Sequence, residues 1–329
     1  MNIGIAGFRH EHIYSVLSCA EKLRDVKITA AWEQDSAARA AAEKRGFCFT
    51  HNSFEALAAD STVELIAVGD YYGARGREVL CALEHGKHVL VDKPICISRS
   101  ELSQIRSLSK EKNLIVGQML DLRFTPAFRT AKRLIEEGAL GKLHNAMICG
   151  THPLMWGERP GWYFEEGKHG GTINDIAIHG VDMLRILTGK RLSRVVGART
   201  WNGFASKEPR FCDCAQFVYS MEDGFGVVGD VSYSAPPWAA FPMPQYWRTT
   251  IWGEKAVLEF DVSGKPVQLI RHGAVAPEYF LDDVEETDPL KETVRAIRGE
   301  PSLIDPEGAF ASSEDTLLLQ EAADRSIHG

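Results

Sequence analysis

The chain has 329 residues, of which 44% are hydrophobic and 25% are charged. This composition is ordinary for a folded globular protein and excludes a disordered, collagen-like or coiled-coil chain. The formal net charge of −8 offers no general attraction to nucleic acid or to an anionic membrane, so neither is expected as a partner. A small-molecule partner is favoured, and the length indicates about two domains.

The amino terminus and the cysteines indicate the compartment. The first residues lack the basic and apolar regions of a secretory signal, and no apolar run approaches the roughly 20 residues that span a bilayer. Seven scattered cysteines are typical of reduced thiols. The close pair Cys212 and Cys214 lacks a second pair, which favours buried thiols over a metal site. We expect a cytoplasmic protein.

The first 120 residues alternate short apolar runs with longer helical patterns, which predicts βαβ units in a doubly wound parallel sheet. One predicted helix covers residues 98–112, where Ser98 and Glu101 have the spacing of a capping box. The predicted strands are Ile3–Ala6, Ile28–Trp32, Leu65–Val68, Val89–Val91 and Ile115–Gly117. These elements define a first domain over residues 1–120.

From residue 121 the pattern changes, and a second domain is predicted over residues 121–329. Helices are expected at 125–137, with Pro126 near the start and Gly138 just past the end, and at 172–188. Alternating runs then predict a mainly antiparallel sheet. These runs are Val195–Trp201, Phe211–Tyr219, Gly226–Tyr233, Arg248–Trp252 and Val257–Phe260.

The turn after the first strand is where a dinucleotide-binding fold places three glycines. This chain keeps Gly7 but has Arg9 and His12 at the second and third positions. The next helix can still present N–H groups to a pyrophosphate, and Arg9 can add a charge-assisted contact. The residues expected to bind a cofactor in this turn are Gly7, Phe8, Arg9 and His10.

Glu33, at the end of the second predicted strand, lies near the spacing expected for a carboxylate that binds a ribose 2′-hydroxyl. A carboxylate there repels a 2′-phosphate. NAD is therefore favoured over NADP, which stays possible. An ordinary solvated charge is the alternative for an isolated glutamate, but the strand, turn and helix before Glu33 stand in the correct order.

Two further motifs suit proton transfer and charge stabilisation. Asp92-Lys93-Pro94 follows a predicted strand at its carboxyl end, where open α/β sheets bind ligands, and the proline restricts the backbone of Lys93. Asp175 and His179 are four residues apart on one face of a predicted helix, and a carboxylate can orient an imidazole and stabilise its charged form. A surface lysine and a simple helix-face contact are the structural alternatives.

The run His10-Glu11-His12 contains two imidazoles that are candidate metal ligands. Two imidazoles at positions i and i+2 do not share one face of a helix, and the sequence shows no companion cysteine or carboxylate cluster. No metal is expected, and the histidines are predicted to border the cofactor or substrate.

In combination, these motifs resemble the Gfo/Idh/MocA family of oxidoreductases over most of the chain. The resemblance implies an N-terminal Rossmann domain, a C-terminal α/β domain with a large, mainly antiparallel open sheet, and a homodimer or homotetramer built through that sheet. Lys93 corresponds to the lysine of the family's E-K-P motif, with Asp92 in place of glutamate. Asp175 and His179 match its second motif, and the resemblance places a substrate carbinol between these groups and a nicotinamide.

The segment that usually reads T-P-N-x-x-H in this family is different here. It runs from Asp70 and Tyr71 to Arg75, without the proline or the histidine. The residues of this region expected to border the cofactor are Asp70, Tyr71, Arg75, Asp92 and Lys93. Substrate is expected to contact Lys93, Arg123, Trp162, Asp175 and His179.

The expected function is NAD(P)-dependent oxidoreduction of a sugar, polyol or related hydroxylated molecule. His179 would accept the hydroxyl proton, Lys93 would stabilise the alkoxide, and Asp175 would orient His179 or bind a neighbouring hydroxyl. A redox-neutral lyase or glycosidase that uses NAD is one alternative, which predicts tightly held NAD without net NADH release. A non-catalytic sugar or dinucleotide sensor is another, although retention of all three residues argues against it.

Overall fold

In a computed structural model, which describes residues 1–236 and 247–327, the chain forms two units that each contain one sheet. Unit 1 comprises Met1–Leu120, Pro160–Gly170 and Thr287–Phe310. Unit 2 comprises Asp121–Arg159, Gly171–Glu286 and Ala311–Gly329. A division into 1–120 and 121–329 therefore omits two later segments of the chain that return to the first unit.

The strands are numbered in chain order. They are β1 (Asn2–Ala6), β2 (Lys27–Trp32), β3 (Leu65–Val68), β4 (His88–Asp92), β5 (Val116–Met119), β6 (Leu143–Thr151), β7 (Leu192–Trp201), β8 (Cys214–Met221), β9 (Gly226–Ser232), β10 (Thr249–Gly253), β11 (Ala256–Phe260), β12 (Val267–Arg271) and β13 (Glu278–Phe280). The helices are α1 (Ser15–Glu21), α2 (Ser36–Lys44), α3 (Phe54–Ala59), α4 (Tyr72–Glu84), α5 (Arg99–Lys112), α6 (Pro126–Glu136), α7 (Ile178–Thr188), α8 (Pro289–Ile297) and α9 (Pro306–Ile327).

The sheet of unit 1 is parallel, with strand order β2-β1-β3-β4-β5. Each of the five predicted strands is present, and the predicted doubly wound sheet is confirmed. Every residue of β3 is buried, because strands in such a sheet are covered on both faces. The carboxyl ends of β1, β2, β3 and β4 therefore lie along one edge, where the turns that follow them meet.

The sheet of unit 2 has eight strands in the order β13-β12-β11-β10-β6-β9-β8-β7. Among the strand pairs that the described part of unit 2 contains, only β6–β9 is parallel, so the predicted mainly antiparallel sheet is confirmed. In β8, buried Ala215, Phe217, Tyr219 and Met221 alternate with more exposed residues, which is the period-two pattern of a strand covered on one face.

The predicted helix at 172–188 is divided in two. Ile173–Ala177 forms a π-helical turn, and α7 begins at Ile178. Such turns are rare and are frequently found at functional sites. The junction falls between Asp175 and His179, so regular α-helical spacing does not describe how these two residues are placed.

Two expectations about the compartment can be compared with the structure. None of the seven cysteines, which all lie within the described residues, takes part in a disulfide. Burial raises the pKa of the Cys214 thiol to about 12, which makes it unreactive at neutral pH. Within residues 1–236 and 247–327, no helix combines the length and the apolar character needed to cross a membrane.

Candidate functional site

Gly7 is required by the backbone at the end of β1. Its φ is +76°, and a Cβ atom there would lie 2.5 Å from the backbone nitrogen of Asp70. The Gly7 N–H donates to the carbonyl of Trp32 at 3.0 Å. The glycine therefore allows the turn after β1 to pack directly against the residues that follow β3.

Arg9 lies among three carboxylates. Its guanidinium is 3.2 Å from Glu33, 3.5 Å from Asp35 and 3.9 Å from Asp70. Burial alone would lower the pKa of Arg9, but these carboxylates raise it above its ordinary value. These ion pairs hold the turn to the ends of β2 and β3. Because they already compensate the charge of Arg9, they favour a structural role for it over the predicted pyrophosphate contact.

Most of the hydrogen-bond acceptor positions of Glu33 are also used by the backbone and side chains near the turn. Its carboxylate accepts hydrogen bonds from the Phe8 N–H at 2.5 Å, the Asp35 N–H at 2.7 Å and Arg9 Nε at 3.2 Å. A carboxylate has about four acceptor positions, so roughly one is left for a ribose hydroxyl.

The ring of Phe8 is buried in the hydrophobic core, where it packs on Phe47, and only the backbone of Phe8 can take part in a site.

A cavity of about 710 Å³ lies at the carboxyl ends of β2 and β3, within unit 1. Its volume is in the range of small-molecule sites, and its position is where an open α/β sheet binds a dinucleotide. Tyr71 and Trp32 contribute to its wall. The ionised lining residues are Glu33, Glu55 and Asp70 on the acidic side and Arg39 and Arg77 on the basic side, and Glu78 also lines the cavity. This acidic excess disfavours an additional phosphate on the ribose.

Glu78 stands out among the lining residues because one of its carboxyl oxygens, Oε2, is buried without a hydrogen-bond partner. Burial first, and the charge of Asp70 second, raise the pKa of Glu78 well above its ordinary value. The carboxyl is therefore neutral at the pH where an exposed glutamate is ionised, and it can donate a hydrogen bond into the wall of the cavity.

Arg75 fixes the turn that carries Lys93. It is fully buried, and its guanidinium donates to the carbonyl of Asp70 at 2.7 Å, the carbonyls of Lys93 at 2.5 Å and Pro94 at 3.2 Å, and Asp92 Oδ2 at 3.1 Å. The Lys93–Pro94 peptide bond is cis. With no exposed surface, Arg75 is placed to position Lys93 rather than to touch a cofactor with its own side chain.

Asp92 joins this turn to the two histidines after β1. Its buried carboxylate is 2.5 Å from His10 Nδ1 through Oδ2 and 3.1 Å from His12 Nδ1 through Oδ1. Sequence inspection found no companion carboxylate because Asp92 is 80 positions from His12 along the chain. The helix-face argument also did not apply, because His10 has extended backbone (φ −121°, ψ 140°) just before the short helical turn Glu11–Tyr14.

The protonation states at this cluster follow from burial and charge. Burial lowers the pKa of His10 to about 3, so its imidazole is neutral. Burial alone would raise the pKa of Asp92, but its positively charged surroundings lower it well below the ordinary value, and Arg75 is the partner whose charge does not depend on pH. Asp92 is therefore an anion that faces a neutral imidazole.

Trp162 lies in unit 1 and not with the second-domain residues. It is 3% exposed, its indole N–H donates to the Arg9 carbonyl at 3.3 Å, and its ring packs 5.0 Å from Tyr72. Tyr163 follows it, with its hydroxyl 2.9 Å from that of Tyr72. These contacts favour packing behind the turn over the predicted contact with substrate.

In unit 2, Asp175 and His179 are both buried and have aromatic neighbours. The hydroxyl of Tyr233 donates a hydrogen bond to Asp175. The ring of His179 meets Trp247 edge to face at 4.9 Å. Arg159 lies over the ring of Tyr233 at 5.7 Å. Sequence reasoning missed Tyr233, because at the end of a run of alternating residues it reads as an ordinary core aromatic.

Arg123 makes a buried, two-pronged ion pair with Asp182, at 2.9 and 2.6 Å. The Ser312 hydroxyl donates to the same carboxylate at 2.9 Å. Because Arg123 is 5% exposed and its guanidinium is paired with Asp182, the structure favours a role for Arg123 within unit 2 over the predicted contact with substrate.

The parallel sheet, the glycine turn and the cavity at the carboxyl edge define the first unit as a Rossmann domain of the dinucleotide-binding class. Residues 1–119 match the family model described as "Oxidoreductase family, NAD-binding Rossmann fold", and residues 128–259 match the model described as "GFO/IDH/MocA C-terminal domain". The chain belongs to the Gfo/Idh/MocA family of oxidoreductases, as its motifs predict.

Several characterised proteins are similar to it. Levoglucosan dehydrogenase of Pseudarthrobacter phenanthrenivorans is 28% identical, over 60% of this chain and 52% of that protein. The scyllo-inositol 2-dehydrogenase (NAD(+)) of Bacillus subtilis is 27% identical, over 53% and 49%. The chain thus spans about half the length of these relatives. A solved levoglucosan dehydrogenase, in complex with NADH and levoglucosan, has the same fold with a TM-score of 0.81, at 18% identity over 100% and 97% of the two chains.

Proposed function

We propose that this protein is an NAD-dependent dehydrogenase that moves a hydride between the nicotinamide and a carbinol carbon of a sugar, polyol or related hydroxylated small molecule. The observation that carries the proposal is the fixed position of Lys93, whose carbonyl is held by the fully buried Arg75 at the carboxyl end of β4. The names of levoglucosan dehydrogenase and scyllo-inositol 2-dehydrogenase support the substrate class.

Lys93 is assigned the stabilisation of negative charge on the substrate oxygen. An ammonium group donates a charge-assisted hydrogen bond, which strengthens as a hydroxyl becomes an alkoxide. That gain depends on a position set before the reaction begins. Arg75 provides this preorganisation, since its guanidinium donates hydrogen bonds to the carbonyls of both Lys93 and Pro94.

His179 is assigned the proton transfer, and Asp175 is assigned its orientation or the binding of a neighbouring hydroxyl. The hydrogen bond from Tyr233 fixes the Asp175 carboxylate, and Trp247 packs against the His179 ring. A buried imidazole packed against another ring loses little side-chain entropy when it engages a substrate. Tyr233 therefore joins the proposal as a positioning residue.

The cofactor site fits NAD on the observations in unit 1. The cavity at the ends of β2 and β3 would hold the adenosine part, with Asp70 and Tyr71 in its wall and the remaining acceptor position of Glu33 toward the ribose. Its acidic excess supports NAD over NADP. When bound, the nicotinamide supplies the acceptor or donor of the hydride.

Calorimetry and steady-state kinetics test the proposal on the purified full chain. NAD and NADP are titrated first, and then NADH formation is followed with levoglucosan, inositols and aldoses. Lys93→Met should lower kcat by about 10² to 10⁴-fold with the NAD Kd nearly unchanged, because Lys93 acts on the substrate. Lys110→Met, on the exposed side of α5, is the matched control.

Three results would contradict this assignment in different ways. Unimpaired turnover in Lys93→Met would remove the role of the lysine. Binding of sugar without any redox change would favour the sensor. Tightly held NAD that is reduced and reoxidised within one turnover, without net NADH release, would favour the redox-neutral lyase or glycosidase.

We also propose that the protein forms a homodimer or homotetramer through the sheet of unit 2. Val218 and Val228 are opposite each other on β8 and β9 and are 42% and 50% exposed, although both are apolar. Val196 on β7 and Ile270 on β12 are also exposed. Exposed apolar side chains on one face of a sheet favour an association surface. Val228→Glu should lower the mass measured by sedimentation, and an unchanged mass would contradict this surface.

A further inference from the structure

We propose that His10, His12 and Asp92 form a binding site for a divalent transition-metal ion such as Zn²⁺. One possible ligand atom from each of the three side chains lies within 4.8 Å of those from the other two. The two Nδ1 atoms lie 2.5 and 3.1 Å from the two carboxylate oxygens. The site lies wholly within unit 1 and does not depend on the proposed dehydrogenase activity.

The ligand set has a defined metal preference. Two imidazole nitrogens and one carboxylate oxygen suit zinc and the neighbouring ions cobalt(II), iron(II) and manganese(II), whereas magnesium and calcium prefer oxygen ligands alone.

The groups behind the ligands are those that orient metal ligands in proteins. The second ring nitrogen of His10, Nε2, is 3.1 Å from the Tyr72 hydroxyl, which in turn lies 2.9 Å from the Tyr163 hydroxyl. Asp92 Oδ2 accepts from Arg75 at 3.1 Å. Hydrogen bonds to the far side of a ligating imidazole or carboxylate fix its direction and tune its basicity.

The burial of the three side chains indicates where the ion would enter. The side chain of Asp92 is 0% exposed and that of His10 is 7% exposed, whereas that of His12 is 39% exposed. Three protein ligands leave at least one coordination position for water or another oxygen donor. The open position would face the side on which His12 is exposed.

The competing explanation is a hydrogen-bond network without a metal. It differs from the metal site in which ring nitrogen of His10 carries the proton. In that network, each Nδ1 carries a proton and donates to Asp92, so that His10 Nε2 accepts from the Tyr72 hydroxyl. With a metal, Nδ1 of His10 is a ligand, and Nε2–H donates to Tyr72. The tautomer of His10 therefore distinguishes the two, and ¹⁵N NMR of the histidine rings reports it.

Titration of the full-length protein with Co²⁺ alone, after treatment with a chelator, tests the site. The wild type should bind one equivalent and develop the visible ligand-field bands of nitrogen-coordinated cobalt, which Zn²⁺ should then displace. His12→Ala removes the exposed ligand with the least risk to folding, and His144→Ala removes an exposed histidine elsewhere as the matched control.

We expect His12→Ala to weaken binding by more than about 10-fold and Tyr72→Phe by about 10 to 100-fold, while His144→Ala binds as the wild type does. Equal Co²⁺ binding by the wild type and His12→Ala, no binding by the wild type, or an Nδ1-protonated His10 in the presence of Zn²⁺ would each overturn the proposal. No arm uses NAD or a substrate, so failure of the metal site and failure of the dehydrogenase assignment are separate results.

Discussion

The substitution Arg75→Met tests how the lysine turn is held. Methionine fills a similar length of buried space but removes every donor of the guanidinium. Three backbone carbonyls and the Asp92 carboxylate then lose their partner. Breaking a buried ion pair by removal of one partner costs about 3 to 5 kcal/mol, because the remaining charge is uncompensated.

That loss is large beside the roughly 5 to 15 kcal/mol that separates folded from unfolded domains. An arginine in an exposed ion pair provides the comparison. Arg106 makes two hydrogen bonds to Glu307, at 2.9 and 2.6 Å, but the two side chains are 43% and 59% exposed. Arg106→Met should therefore cost about 1 kcal/mol or less.

Urea unfolding followed by circular dichroism measures both free energies under the same conditions, and NAD titration of the folded variants reports the site. Arg75→Lys keeps a positive charge but loses the planar fork, so it should fall between the wild type and Arg75→Met. A cost below 1 kcal/mol for Arg75→Met, equal to that of Arg106→Met, would refute the view that Arg75 fixes the Lys93 turn.

Three further predictions concern the glycine turn, the cavity and unit 2. Gly7→Ala should abolish NAD binding and lower the thermal midpoint, since φ is +76° and the new Cβ would lie 2.5 Å from the Asp70 nitrogen; an unchanged NAD Kd by calorimetry would contradict this. Glu78→Gln should be more stable than the wild type at pH 8 and equal near pH 4, because a folded-state pKa raised above 4.5 makes the wild type lose stability as the pH rises through that window. Denaturation curves at several pH values check it, and a pH-independent difference would contradict it. Tyr233→Phe should lower kcat by about 10-fold and shift the pH–rate profile while KM changes little, because the phenol fixes Asp175; an unchanged profile would leave Tyr233 a packing role only.

Local signals in the sequence correctly predicted where α5 and α6 begin. Ser98 accepts a hydrogen bond from the Glu101 N–H, as the capping box predicts. Thr125 caps α6, which begins at Pro126. These features depend on residues within one turn of each other, so their energetics are present in the sequence itself.

The groups that define the candidate site depend on contacts between distant residues, and sequence reasoning found them incompletely. Asp92 was placed correctly at the end of β4, but its contacts with His10 and His12 depend on the order of strands in the sheet. Trp162 was grouped with the second domain because of its sequence neighbours, whereas its segment returns to unit 1. The π-helical turn at Asp175 left no periodic signal, because residues 173–184 are all buried and no polar face marks a change of period.

The replaced glycines show why the turn after β1 keeps its place without the usual motif. Glycine at the second and third positions allows close backbone approach, but it adds no side-chain contact. Here Arg9 reaches Glu33 at the end of β2, and His12 reaches Asp92 at the end of β4. Each substituted side chain thus meets a buried carboxylate at the edge where ligands bind. With Arg9 and His12 in place of the two glycines, the turn loses backbone freedom and gains contacts with charged groups. These contacts fix the turn between β2 and β4, and they place two imidazoles beside one carboxylate.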